Sequence, residues 1–284
     1  MLTTFDHVTI AVKEVDVAVR AYERVLGSLP SWRGDHPELG TSGALFSLAN
    51  AVLEIVGPGA DATESTGLSE WLAARGEGLQ AMALGTGDAA RCTATLRERG
   101  VRATPPQPGE ARGVDGALRR YQTVDLSPRA TRGLPVLVVE REDAGLFASR
   151  SPDASCVDAL DHVVVRTSDA DAAIALYGAG LGIRLALDRS VGERRMLFFR
   201  IGGVTIEVVV DPGVGPADTF AGLAYRVRDL DAAHARVMAA GLDASDLRDG
   251  AKPGTRVFTI RSGACGVPTL VLRDPSRDRA PVQA

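Results

Sequence analysis

Two histidines and two glutamates carry the chemistry that can be read from this chain. His7 stands in FDHVTIAV and His162 in LDHVVVRT; Glu54 interrupts the apolar run Ala51–Val56, and Glu207 interrupts Val204–Val210. The separation is 47 residues in the first pair and 45 in the second. A carboxylate inside an apolar strand needs a partner, because burying it unpaired is costly. Imidazole with carboxylate can hold a divalent ion such as Zn²⁺, Mn²⁺, Fe²⁺, Co²⁺ or Ni²⁺. The same two groups can also move a proton as general acid and base. His7 and His162 can equally be hydrogen-bonded cavity residues with no ion.

The elements that must position these residues are written as a repeat. Phe5–Gly27 and Leu160–Gly182 share an apolar–Asp–His strand, a polar turn and a helix of the form D-x-A-x-x-x-Y ending in Leu-Gly. Fainter copies without histidine lie at Ala81–Gly100 and Gly222–Gly241. A repeat of this length constrains the fold before any single residue does. Val8, Ile10 and Val12 alternate as in a half-buried strand, and Val15, Val19, Tyr22 and Leu26 recur at helical spacing with Gly27 as a stop. Each unit continues into two or three strands, which predicts four βαβββ modules in an α+β protein. Trp32–Thr41 and Pro105–Gly116 read as Gly/Pro-punctuated loops. Ala144–Asp158 reads as a linker between two domains, residues 1–147 and 156–275.

Composition narrows the class. With 284 residues, 45% apolar, 24% charged and a net charge of −4, the chain suits two soluble domains and lacks a basic cluster for nucleic acid. No run is long and apolar enough for a membrane helix, the start has no signal-peptide pattern, and three scattered cysteines suggest a reducing compartment. A cytoplasmic monomer or homodimer with a small-molecule substrate is the expectation.

The DHV strand start, the D-x-A helix and the later strand Gly203–Glu207 resemble the vicinal oxygen chelate superfamily, which includes glyoxalases, bleomycin-resistance proteins and dioxygenases. The stretch His36–Gly57 further resembles its glyoxalase-like subgroup. The resemblance implies two glyoxalase-type open barrels. It also implies that each unit offers a ligand from its first strand and a carboxylate from its last, giving His7, Glu54, His162 and Glu207 as metal ligands. Glu54 and Glu207 would then be the bases of a metal-dependent lyase, isomerase or epimerase working through an enediolate. The alternative is a metal-free protein that sequesters a small molecule. Modules two and four offer Ala81, Gly222, Leu137 and Leu270 where further ligands belong, which disfavours ring-cleaving dioxygenase chemistry and leaves each barrel a half-site. Gln80 and Glu140 lie close to those gaps but face the wrong way by strand parity. Only modules one and three placed together would unite all four ligands. His36 with Thr41 can supply what the first site lacks. Arg166 and Arg226 alternate with His162 and Gly222 and so face inward, where an arginine suits an anionic substrate. Arg120 and Tyr121 resemble an arginine–aromatic pair of the subgroup, and His234 belongs to a solvated helix face.

Overall fold

The computed structural model describes residues 1–59, 67–142 and 153–277. The expected linker and its short helix fall largely outside these residues, as does most of the tail after Asp274. In the first half, β1 (Leu2–Ala11) leads into α1 (Val15–Leu26), which ends at Gly27 in the left-handed conformation, φ 77°. Three strands follow: β2 (Trp32–His36), β3 (Thr41–Ser47) and β4 (Val52–Pro58). After α2 (Gly67–Arg75) the order repeats as β5 (Gly78–Thr86), α3 (Ala89–Glu98), β6 (Gln107–Gly113), β7 (Leu118–Asp125) and β8 (Val136–Arg141). These eight strands close into a barrel in the order β1-β4-β3-β2-β6-β7-β8-β5.

The closure is made by the two stretches whose composition reads as loops. β2 pairs with β6 through Gly34–Gly113 and Asp35–Arg112. A Cβ on Gly34 would stand 2.1 Å from the Arg112 carbonyl oxygen, so the close approach of backbones at this seam requires glycine. Glycine here marks strand contact, not a turn.

The second half has β9 (Val157–Thr167), α4 (Ala170–Ile174) continued by a π turn over Ala175–Gly180, β10 (Arg184–Val191), β11 (Arg194–Ile201) and β12 (Val204–Val210). Then come β13 (Thr219–Val227), α5 (Leu230–Ala239), β14 (Arg248–Asp249), β15 (Arg256–Ile260) and β16 (Thr269–Arg273). Its order is β10-β11-β12-β9-β13-β16-β15-β14, the same connectivity left unsealed. Asp88, Asp169 and Asp229 each cap their helix by accepting from a backbone N–H of the first turn. Modules one and two therefore share the barrel and modules three and four share the open sheet, so modules one and three are not united within the chain.

The halves share one apolar core that draws on α1, α3, α4 and α5 and on both sheets. Asn50, in the β3–β4 turn, donates to the Leu160 carbonyl and accepts from the Leu160 N–H, at 2.8 and 3.0 Å. The matching β11–β12 turn brings Gly202, at φ 56°, so close to Thr4 and Phe5 that a Cβ would stand 2.7 Å from the Phe5 nitrogen. Each half thus lays a turn on the first strand of the other. Among the described residues no helix is long and apolar enough to cross a membrane.

Candidate functional site

Parity along the strands decides what faces the barrel interior. His7 and Thr9 on β1 stand beside Val52 and Glu54 on β4, and Leu45 on β3 faces Glu54 in turn. His36 pairs with Thr41 at the far ends of β2 and β3. On β7 the inward residues are Arg119, Tyr121 and Thr123, and Tyr121 faces Arg141 of β8. Together they line a cavity of about 700 Å³ inside the barrel, in the size range of small-molecule sites.

Glu54 is the centre of this cavity. One carboxylate oxygen, Oε2, accepts from the Thr9 hydroxyl at 2.9 Å and lies 3.5 Å from His7 Nε2; Oε1 lies 3.9 Å from His36 Nε2. Burial works to raise the Glu54 pKa, but the charges of His7 and His36 and the Thr9 hydrogen bond leave it below the ordinary value. Glu54 is an anion at neutral pH. His36 is pushed down by burial, against the opposite influence of Glu54, and is neutral at pH 7. Its Nδ1 sits 3.4 Å from the Thr41 hydroxyl. Burial raises the Tyr121 phenol, with Glu54 adding to the effect, so Tyr121 remains a hydrogen-bond donor.

Behind His7 lies a group that sequence parity does not reveal. His7 Nδ1 lies 2.6 Å from Asp6 Oδ1 and 3.3 Å from Arg141 Nη2, and Arg141 donates to both Asp6 oxygens at 2.6 and 2.8 Å. Burial raises the Asp6 pKa, but the hydrogen bonds from His7 and Arg141 overcome it and hold the carboxyl well below the usual range. The second sheet repeats the pattern. His162 Nδ1 is 3.0 Å from Asp161 Oδ2, His162 Nε2 is 3.8 Å from Glu207 Oε2, and Arg226 Nη1 reaches Asp161 Oδ1 at 3.4 Å.

The structure thus brings His7, Glu54, His36, Thr41 and Tyr121 together in one cavity and sets His162, Glu207 and Arg226 in a separate cluster. Two expected placements need correction, those of Arg120 and Gln80. Arg120 faces outward, 59% exposed beside Glu110, because inward Tyr121 and Thr123 make Arg119 the inward arginine by alternation. Arg119 lays its guanidinium 5.2 Å over the Trp32 ring inside the cavity wall. Arg166 keeps the His162 face of β9 but lies exposed at the end of the strand, ion-paired through its Nε to Asp211 at 3.1 Å. Gln80 lines the cavity after all, because the β1–β5 pairing skips a residue between Ala81 and Leu79 and turns Gln80 inward. Glu140 does face away, accepting from the Ala89 N–H at the start of α3. His234 is half-buried, its Nε2 3.0 Å from the Ser245 carbonyl and its ring edge-on to Phe258.

A catalytic metal of the kind the resemblance implies calls for three protein ligands and an open position. Among the described residues no group of three or more His, Cys, Asp or Glu is placed to hold a metal ion. Glu54 turns one oxygen to Thr9 and His7 and the other to His36, and Glu207 lies in the other sheet. The side chains do not fit a three-ligand site, and the expected set of His7, Glu54, His162 and Glu207 is divided between two sheets.

Residues 5–155 match the family described as glyoxalase-like domain, and residues 159–277 match the glyoxalase/bleomycin resistance protein/dioxygenase superfamily. A search of curated proteins finds no match. Among solved structures, a mutant of 4-hydroxymandelate synthase from Streptomyces coelicolor superposes with a TM-score of 0.71 at 15% identity, covering 96% of this chain and 92% of that one. A hypothetical protein from Staphylococcus aureus gives 0.65 at 10% identity, over 96% of this chain and 100% of its own. At such identities these two show the fold alone, as a tandem of two units. Methylmalonyl-CoA epimerase from Streptomyces coelicolor is 26% identical and matches over its whole length, but it covers 50% of this chain at a TM-score of 0.42. By its first 155 residues the chain belongs to the glyoxalase-like domain family, and it carries a second unit of the glyoxalase/bleomycin resistance protein/dioxygenase superfamily behind it.

Proposed function

We propose that the first barrel is the active site of a lyase, isomerase or epimerase that moves a proton on a small, oxygenated, anionic organic substrate. One observation carries this reading: the Glu54 carboxylate is kept ionised between two imidazoles inside the cavity. An ionised group in an enclosed site costs stability that a merely structural residue would not demand, and perturbed carboxylates of this kind mark functional sites.

Glu54 takes a proton from the carbon next to a carbonyl. The electron pair of that C–H bond moves onto the carbonyl oxygen, and Glu54 later returns the proton to the same carbon from which it came or to its neighbour. A carboxylate of lowered pKa is a weak base, so the developing oxyanion must be stabilised in place. Arg119 supplies positive charge and Tyr121 an O–H from the same wall. Arg119 also suits a carboxylate on the substrate. No step in this sequence requires a metal ion.

Deuterium exchange tests this directly. The protein is incubated in D₂O with a panel of 2-oxo and 2-hydroxy carboxylic acids and thioesters, and exchange at the carbon beside the carbonyl is followed by NMR. Exchange that is lost in Glu54→Gln and survives chelation is the expected result. Exchange lost on chelation and restored by a divalent ion would instead assign His7 and Glu54 to a metal. Tight binding of a panel member with no exchange, unchanged in Glu54→Gln, would make the barrel a sequestration site and overturn the proposal.

A further inference from the structure

Adjacent residues of a regular strand point to opposite faces, so Asp6 and His7 ought not to meet. They meet because the β1–β5 pairing skips a residue: Phe5 faces Leu84 and His7 faces Ala83, which leaves Asp6 as a bulge. The same skip recurs in the second sheet, where Leu160 faces Tyr225 and His162 faces Ala224, which makes Asp161 the bulged residue. The repeated Asp-His dipeptide is therefore a bulge that swings a carboxylate onto the back nitrogen of the imidazole.

An arginine holds each aspartate, yet the two arginines are not copies of one another. Register through Ala83–Leu137 and Ala224–Leu270 sets Arg141 opposite Asp274 in the second sheet, and Arg226 opposite Gly85 in the first. Two different strand positions deliver a guanidinium to the same carboxylate. The arrangement, not the arginine's position, is what the two halves have in common.

An ionised carboxylate can only accept hydrogen bonds. With Arg141 on both its oxygens, Asp6 is such an acceptor, and its 2.6 Å contact, much shorter than the 3.3 Å from Arg141 Nη2, places the hydrogen on His7 Nδ1. In its neutral form the imidazole then presents Nε2 as a lone pair, 3.5 Å from Glu54 Oε2. We propose that Asp6, clamped by Arg141, is a positioning residue of the first site: it fixes the tautomer of His7 so that Nε2 accepts a substrate O–H beside the carboxylate of Glu54. The chemical role rests on the reading of Glu54 as base; the tautomer does not. Asp161 and Arg226 set His162 in the same way in the second sheet.

The test is a long-range proton–nitrogen NMR spectrum of the ¹⁵N-labelled full chain, with the four histidines assigned by single substitution. It is recorded in mildly alkaline buffer, where an ordinary imidazole is neutral. The expected result is a protonated Nδ1 and a bare Nε2 at His7. Asp6→Ala should shift His7 toward the Nε2–H form, and Arg141→Gln, which keeps the aspartate, should shift it part of the way. In any reaction found for the barrel, Asp6→Ala should lower kcat by about 10- to 100-fold with KM little changed, the range seen when groups behind a ligating histidine are removed. A hydrogen on Nε2 in the unaltered protein overturns the proposal, as does a tautomer unmoved in a folded Asp6→Ala variant. Should Asp6→Ala fail to fold, the unaltered protein and Arg141→Gln decide. The spectrum needs no substrate, so failure of the proton-transfer reading and failure of this one are seen separately.

Discussion

The two halves begin from one plan and end differently, and the difference lies at the seam. Where the first half has Gly34, register through Leu45 and Phe198 places Arg189 in the second, with its guanidinium 5.7 Å from the Phe198 ring. The strand that meets β2 in the barrel, β6, runs for seven residues; its counterpart β14 runs for two. Without glycine at the crossing and with a short last strand, the second sheet does not close. The site residues diverge in step. Thr9, which hydrogen-bonds Glu54, is matched by Val164 beside Glu207, and His36 is matched by Val191, which is 38% exposed. Enclosure and the extra polar partners occur together, in the half where the carboxylate is shifted below its ordinary pKa. A His–Glu pair is therefore common to both halves; the closed wall and the second imidazole separate the two.

The strongest way to break this contrast is to neutralise both carboxylates in turn. If the barrel works as proposed, Glu54→Gln should lower turnover by about 10²- to 10⁴-fold, the usual worth of a general base, while Glu207→Gln should leave it within about threefold of the unaltered protein. Steady-state kinetics on the substrate found by exchange measures both. Equal losses would show that the open sheet shares the reaction.

A second comparison sets neighbours against each other. Arg119→Ala should weaken binding of an anionic ligand by about 10- to 100-fold, the equivalent of one charged hydrogen bond, whereas Arg120→Ala should leave the affinity unchanged. Calorimetric titration distinguishes them. The pair also shows what sequence could and could not supply. The four modules and their helices follow from repeat and periodicity, whereas the facing of His7, Glu54, His162 and Glu207 rests on the family resemblance. The same resemblance points to Arg120, although Arg119, Tyr121 and Thr123 are the residues that alternate inward. The seam strands were not legible, because glycine serves a turn and a close strand crossing equally well. Nor were the meeting of Asp6 with His7 and the inward turn of Gln80, which depend on bulges that strict alternation forbids. Register is a property of the pairing partner, and a single strand does not contain it.

Acid stability sharpens the comparison between two buried aspartates. Asp6 has a folded-state pKa below its unfolded value, so its stabilising contribution is complete above about pH 4 and is lost as pH falls through that range toward the folded value. Asp218, whose carboxyl is fully buried against Arg132, has the opposite shift, with burial raising its pKa, so protonation on acidification relieves a cost. Denaturation followed below about pH 4 should show a flatter acid arm in Asp6→Asn than in the unaltered protein. Asp218→Asn should not flatten it. An acid arm unchanged in Asp6→Asn would mean that the Asp6 cluster does not govern acid unfolding.

The smallest effect concerns the tyrosine that the repeat places in both helices. Tyr22 and Tyr177 are both fully buried, and each sits in the same D-x-A-x-x-x-Y register. Their hydroxyls differ. Tyr22 donates across the boundary between halves to the Ala264 carbonyl at 3.2 Å, whereas the Tyr177 hydroxyl is buried without a hydrogen-bond partner. Removing a made hydrogen bond costs about 0.5–1.5 kcal/mol, while removing a buried group that has none relieves its desolvation. Tyr22→Phe should therefore lower unfolding stability by about 1 kcal/mol, and Tyr177→Phe should be neutral or stabilising, as read by urea denaturation of each variant. Because the Tyr22 bond joins the halves, its loss should also separate their unfolding transitions if they are coupled chiefly there. A single transition retained in Tyr22→Phe would assign that coupling to the shared apolar core and to the turns at Asn50 and Gly202, which reach across to the first strand of the opposite sheet.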